Sequence, residues 1–266
     1  LAATFLQMSF ETLGALLGSL ALLWVVSVIV KDASIVDLAW GLLAGLVSVV
    51  DLSATRWDWP RTLIALCATL WGLRLSIYLM SRNLGKGEDR RYRAMRAKTG
   101  PKFVFTSLFT VFLAQGGIFW IVSMPLQGGI YYGDDIQTLF LVALGVALFG
   151  TGFVFESVGD FQLARFKADP SNAGKVMDRG LWRYTRHPNY FGDSCVWWGI
   201  WLIAVGIGAP VATIIGPLLM TLLLIRVSGV ALLERNIAGR RPEYRQYIET
   251  TSAFIPRPPK SPPSGG

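Results

Sequence analysis

Between Gly180 and Gly199 the chain reads GLWRYTRHPNYFGDSCVWWG, and no other stretch gathers so much chemistry. Two arginines (Arg183 and Arg186), the protein's single histidine (His187), Asn189, Asp193 and several aromatics lead directly into an apolar run. Pro188 suits the first position of a helix, where its missing N–H has no partner to lose and its fixed φ is already helical. A helix from there places Asn189 and Asp193 on one face, with Tyr190 beside Asp193. The unpaired N–H groups of that helix start, with Arg183 and Arg186, attract an anion such as phosphate. A turn deeper, an amide and a carboxylate can hold a polar ring with a carboxamide-sized substituent. Anchoring at a membrane boundary accounts equally well for Arg183, Trp182 and Tyr184 taken singly. It does not account for Asp193, because a carboxylate inside a membrane helix costs about 2.5–3.5 kcal/mol unless paired or solvated.

Other residues able to do chemistry lie at helical spacings. Asp37 and Trp40 are three apart in IVDLAWG, either a satisfied structural pair or part of a site. Trp71, Arg74 and Tyr78 follow at intervals of three and four, which suits a cavity wall, although Arg74 is placed to snorkel to a boundary. Gln115, before Gly116 and Gly117, is first an interhelical hydrogen bond and second a ligand contact. Glu156, Asp160 and Lys167 share a helical face that leads towards Lys175, and Arg226 precedes Glu234 by two turns.

The elements that must position these residues are membrane spans. With 53% of its 266 residues hydrophobic, the chain is too apolar for a soluble domain of this size. Seven runs of span length appear, at about 10–30, 34–52, 60–80, 104–124, 136–158, 190–207 and 209–230. The expectation is an all-α, polytopic integral membrane protein: a single seven-helix domain over 1–255 and a disordered Pro/Gly-rich tail over 256–266. All but Arg56, Arg61, Arg74 and Arg226 of the 25 basic residues fall on one side of that arrangement. The positive-inside rule then puts the N-terminus outside and the C-terminus in the cytoplasm. Most of the basic loop 82–102 reads as solvated and lipid-facing.

The net charge of +8 is explained by topology and anionic lipid, so nucleic acid is not an expected partner, and no obligate protein partner is evident. One histidine and two separated cysteines, Cys67 and Cys195, build neither a metal cage nor a disulfide framework. No Walker A or Rossmann glycine motif occurs, nor a serine in a nucleophile elbow. Any cofactor must be held by the spans and their loops.

GLWRYTRHPNYFGD, the preceding VGDFQLARFK, and the later RVSG, LLER, RRPEYRQYI and FIP resemble the steroid 5α-reductase superfamily. The likeness is to its bacterial membrane proteins carrying the 3-oxo-5-alpha-steroid 4-dehydrogenase C-terminal domain (DUF1295-like). It runs from about Val36 to Pro256 and is strongest over 152–256; RHPNYFGD is also similar to a segment of sterol C14 and C7 reductases. The resemblance implies a multi-pass protein of the bacterial inner membrane. The implied activity is NADPH-dependent reduction of an enone-type carbon–carbon double bond in a steroid-like or other lipid.

Carried over by position, Asn189 and Asp193 meet the nicotinamide end. Asp160, Lys167, Lys175, Tyr184, Arg186, His187 and Tyr190 line the dinucleotide groove, and Arg226 and Glu234 close it. Trp40, Trp71, Arg74 and Gln115 face substrate, with Tyr78 or a protonated Asp37 donating to the enone oxygen. The alternative for Asp37 is an ion pair with Arg74. The chain departs from the steroid reductases in having Val36 and Asp37 where a Gln-Glu pair is expected and Trp71 near the expected tyrosine. The segment is also similar to isoprenylcysteine carboxyl and phospholipid methyltransferases, which use S-adenosylmethionine. Asn189 and Asp193 favour the reductases, and Glu234 is followed by Arg235 where the methyltransferases show a second glutamate.

Overall fold

The computed structural model describes residues 4–83, 85–227 and 242–260. Everything regular in them is helical. In order come α1 (Phe5–Val30), α2 (Ile35–Ser53), α3 (Trp59–Asn83), α4 (Arg90–Thr99), α5 (103–122), α6 (Met124–Tyr132), α7 (Leu139–Ala168), α8 (Pro188–Gly206), α9 (Val211–Arg226) and α10 (Pro242–Thr250). Among the described residues five stretches are long and apolar enough to cross a membrane: Phe5–Val30, Ile35–Ser53, Trp59–Asn83, Arg90–Val122, of which α5 is the apolar part, and Leu139–Ala168. Two of the seven expected spans are not among them. The run at 190–207 is α8, whose first turns carry Asn189, Asp193 and Ser194; the run at 209–230 is the shorter α9, and its last residues lie outside the described ones.

The chain divides into two compact units, 1–143 with 200–216, and 144–199 with 217–266. In the first, α1 begins with a reciprocal cap in which Thr4 and Gln7 serve each other's backbone N–H. Helix α2 packs most extensively on α3. There Gly41 and Gly72 meet so closely that a Cβ on either would run into the other's carbonyl oxygen. Arg61 is buried near the start of α3, where it bonds Asp58, Asp134 and the carbonyl of Ile130 (2.7 Å).

One reversal in this unit sets the site. Tyr92 and Gln115 are 23 residues apart, about 35 Å along a continuous helix, yet the Gln115 amide lies 3.4 Å from the Tyr92 hydroxyl. The chain turns back at Gly100, whose φ of 64° only glycine adopts without strain. Helix α4 thus returns along α5, and the basic loop expected to be solvated is in large part this helix.

In the second unit α7 and α8 are antiparallel and joined through glycines. A Cβ on Gly152 would strike the Gly192 carbonyl, one on Gly199 would meet the backbone of Gly145 and Phe149, and Gly159 abuts Pro188 and Asn189. Glycines 145, 152 and 159 recur every seven residues, as do 192 and 199, so each stripe faces the other along the contact.

Candidate functional site

In the first unit Asp37 is the centre of a hydrogen-bonded chain. Its Oδ1 accepts from the Tyr92 hydroxyl at 2.7 Å and its Oδ2 from the Arg91 guanidinium at 2.6 Å. Gln115 offers its amide N–H to the Tyr92 oxygen and accepts from the Trp40 indole, and the Trp40 ring meets Phe119 edge-on. Asp37 thus accepts at both carboxyl oxygens, from one neutral and one cationic donor. The ion partner found for Asp37 is Arg91 and not Arg74. Arg74 instead lies over the Tyr78 ring, 5.5 Å from its centroid, and Trp71 is fully buried.

The segment before α4 fastens this arrangement to the start of α2. Asp89 caps α4 by accepting from the Arg91 N–H, while its own N–H donates to Ser34. Glu88 accepts from the Ala33 N–H (2.9 Å) and from both ends of the Arg96 guanidinium (3.0 and 2.7 Å). Burial raises the Glu88 carboxyl, but the bonds from Arg96 and Ala33 and the charges of Arg96 and Arg93 outweigh it and hold the group below its ordinary value. Sequence periodicity did not single out Arg91, Tyr92 or Glu88; the visible signal was EDRRY, an acid pair before a helix start.

In the second unit Pro188 opens α8 as expected. Asn189 donates to Asp160 across 3.1 Å, and its own carbonyl oxygen is buried with no donor among the described residues. Glu156, Asp160, His187 and Asp193 are all buried. His187 and Tyr190 stack nearly parallel with centroids 5.3 Å apart. Arg186, expected at a phosphate, is buried and donates to the carbonyls of Ile248 (3.0 Å) and Thr251. Tyr247 reaches the Trp182 carbonyl and Trp182 donates to that of Gly159 (3.0 Å), so the RHPNY segment is held from both sides. Tyr184, Lys167 and Arg226 are exposed, and Glu234 lies outside the described residues.

A cavity of about 760 Å³ opens in this unit between the loop after α7 and the end of α10. Lys175, Arg179, Arg183 and Lys260 line it against the single carboxylate of Asp178. The chain beyond Pro256, expected to be a disordered tail, is bonded as far as Lys260: Arg257 donates its N–H to Tyr184 and Lys260 its N–H to Thr250. Among the described residues no group of three metal-ligating side chains comes together.

Helices of this length and apolarity, carrying buried carboxylates, define a multi-pass α-helical membrane protein. The chain belongs to the family described as Protein of unknown function (DUF1295), which it matches over residues 23–251. It is 25% identical to an uncharacterized protein of Schizosaccharomyces pombe over 88% of this chain and 76% of the relative. No solved structure matches it.

Proposed function

We propose that this protein is an NADPH-dependent membrane reductase that saturates a carbon–carbon double bond conjugated to a carbonyl in a steroid-like or other lipid. The observation that carries the reading is Asn189: an amide fixed by Asp160 on one side, with a buried carbonyl oxygen that lacks a donor among the described residues. Buried polar atoms are rarely left so, and the carboxamide N–H of a nicotinamide is a donor of the right kind. RHPNYFGD, which resembles the reductases, supplies this residue and Asp193 one turn on.

NADPH, when bound, would supply the hydride. For the protein's part, Asn189 and Asp193 would orient the ring end. Asp160 would hold the Asn189 amide, and His187 and Tyr190 would form a flat wall. Lys175 would meet the anionic end, while Arg186 orders the segment through the α10 carbonyls. Within the first unit, Trp40, Arg74 and Gln115 are the candidates for contact with lipid. The cell membrane, with the basic loops on its cytoplasmic side, is the location this reading takes.

The methyltransferase reading is disfavoured by charge. S-adenosylmethionine is a net cation, and a cavity with four cationic side chains against one carboxylate repels it. The test is a thermal shift of purified protein in detergent with each cofactor. NADPH is expected to stabilise, with Asn189→Ala weakening its binding about tenfold. Stabilisation by S-adenosylmethionine alone would reverse the assignment.

A further inference from the structure

The reductase reading gives one residue of the cavity wall in the second unit, Lys175, a role and leaves Arg179, Arg183 and Lys260 without one. Basic residues on cytoplasmic loops are ordinary in a membrane protein, but they are ordinarily splayed into solvent. Here four converge on one concavity large enough for a nucleotide-sized ligand, and concave walls concentrate the field of like charges placed on them.

How the fourth cation arrives there is informative. After α10 the chain doubles back beside residues 184–186. The Arg186 N–H donates to Ser252 at 2.9 Å, the Thr185 hydroxyl to Phe254 at 2.8 Å, and the Arg257 N–H to Tyr184 at 2.9 Å. The Lys260 N–H then closes on Thr250 at 2.8 Å, and its residue joins the cavity wall. The course of this strap fixes the backbone of a lysine in the cavity that Lys175, Arg179 and Arg183 also line.

We propose that this cavity is a binding site for a phosphate ester and that the C-terminal strap is one of its walls, with Lys260 contacting the anion. Arg179 and Arg183 are suited to two oxygens of one phosphate each, whereas the two lysines act as point charges. The proposal deepens the reductase reading, in which Lys175 meets the anionic end of the cofactor, by adding Arg179, Arg183, Lys260 and the strap to that end. The phosphate can come from a soluble diphosphate or from a lipid headgroup; the recognising chemistry is the same.

The experiment uses the full chain in nanodiscs and reads binding in two arms. One titrates inorganic pyrophosphate into discs of phosphatidylcholine and follows the melting temperature; the other compares discs with and without phosphatidic acid. Lys260→Ala and Arg183→Ala are measured beside Lys98→Ala, which removes an exposed cation from α4. Saturable stabilisation by pyrophosphate, weakened about tenfold by Lys260→Ala and by Arg183→Ala but not by Lys98→Ala, supports the site with a soluble source. The same pattern for phosphatidic acid alone supports it with a lipid source. No stabilisation in either arm overturns the proposal, and so does stabilisation that Lys260→Ala leaves intact. Ligand-free melting temperatures of the variants separate lost binding from lost folding. A failure to bind NADPH alongside intact pyrophosphate binding would sink the reductase reading alone.

Discussion

Tyr92 donates its phenolic hydrogen to Asp37 across 2.7 Å, although 55 residues separate the two in sequence. The bond joins the first turn of α2 to α4, and Gln115 extends it to α5 and back to Trp40. A shared chain of this kind makes each member's effect depend on the others. Tyr92→Phe leaves one oxygen of the Asp37 carboxyl without its donor and is expected to cost about 1–3 kcal/mol of stability. Chemical denaturation in detergent reads it. A loss no larger than that of a surface substitution would show that the contact does not hold α4 in place.

Arg91→Gln tests the same carboxylate from its other oxygen. If Asp37 is ionised because Arg91 faces it, Arg91→Gln should destabilise the wild-type background and do markedly less harm beside Asp37→Asn. The double-mutant cycle measures that coupling. Additive losses would mean that the ion pair contributes nothing of its own.

The α2–α3 contact leaves no room for a methyl group. Gly72→Ala is expected to cost about 1–3 kcal/mol, because the new Cβ meets the Gly41 carbonyl. Gly14→Ala on α1, where nothing lies within 4 Å, should be neutral or stabilising. Equal melting temperatures for the two variants would place the close approach in doubt.

Acid should loosen the tether before α4. In the folded chain Glu88 ionises below its ordinary 4.5, so the stability it contributes is complete above that value and lost as pH falls through the folded one. Asp89 is held low as well: its burial is outweighed by the Arg91 N–H and guanidinium bonds and by the charges of Arg91 and Arg82. Melting temperature followed downward from neutral pH should therefore fall, and Glu88→Gln should reduce the size of that fall while leaving the share due to Asp89. An unchanged pH profile in the variant would remove Glu88 from the account.

Arg186→Gln should free the C-terminal strap. The guanidinium gives hydrogen bonds to the carbonyls of Ile248 and Thr251 from a buried position, each worth about 1.5–3 kcal/mol as a charged bond. Limited proteolysis is expected to cut within 251–260 faster in the variant. Cleavage at the wild-type rate would show that the strap is held by its backbone bonds alone.

Much of this architecture was written locally. Apolar runs of span length marked the long helices, because lipid leaves a backbone no partner but itself. Pro188 marked the start of α8, and spacings of three and four put Asp37 with Trp40 and Arg74 with Tyr78. Those signals act between residues a turn apart, where one helix decides who meets whom. Tertiary structure alone decided the rest. Tyr92 and Gln115 meet only because Gly100 reverses the chain, and an interval of 23 residues matches no helical repeat. Asp37 takes Arg91 in place of Arg74 because the reversal delivers a second cation to its first turn. Lys260 reaches the cavity because Tyr184, Thr185 and Arg186 bond a strap some 70 residues further on. A periodic pattern records which face of a helix is apolar, and long-range hydrogen bonds leave no trace in that pattern, so partners brought together by reversals and straps became visible only in the folded chain.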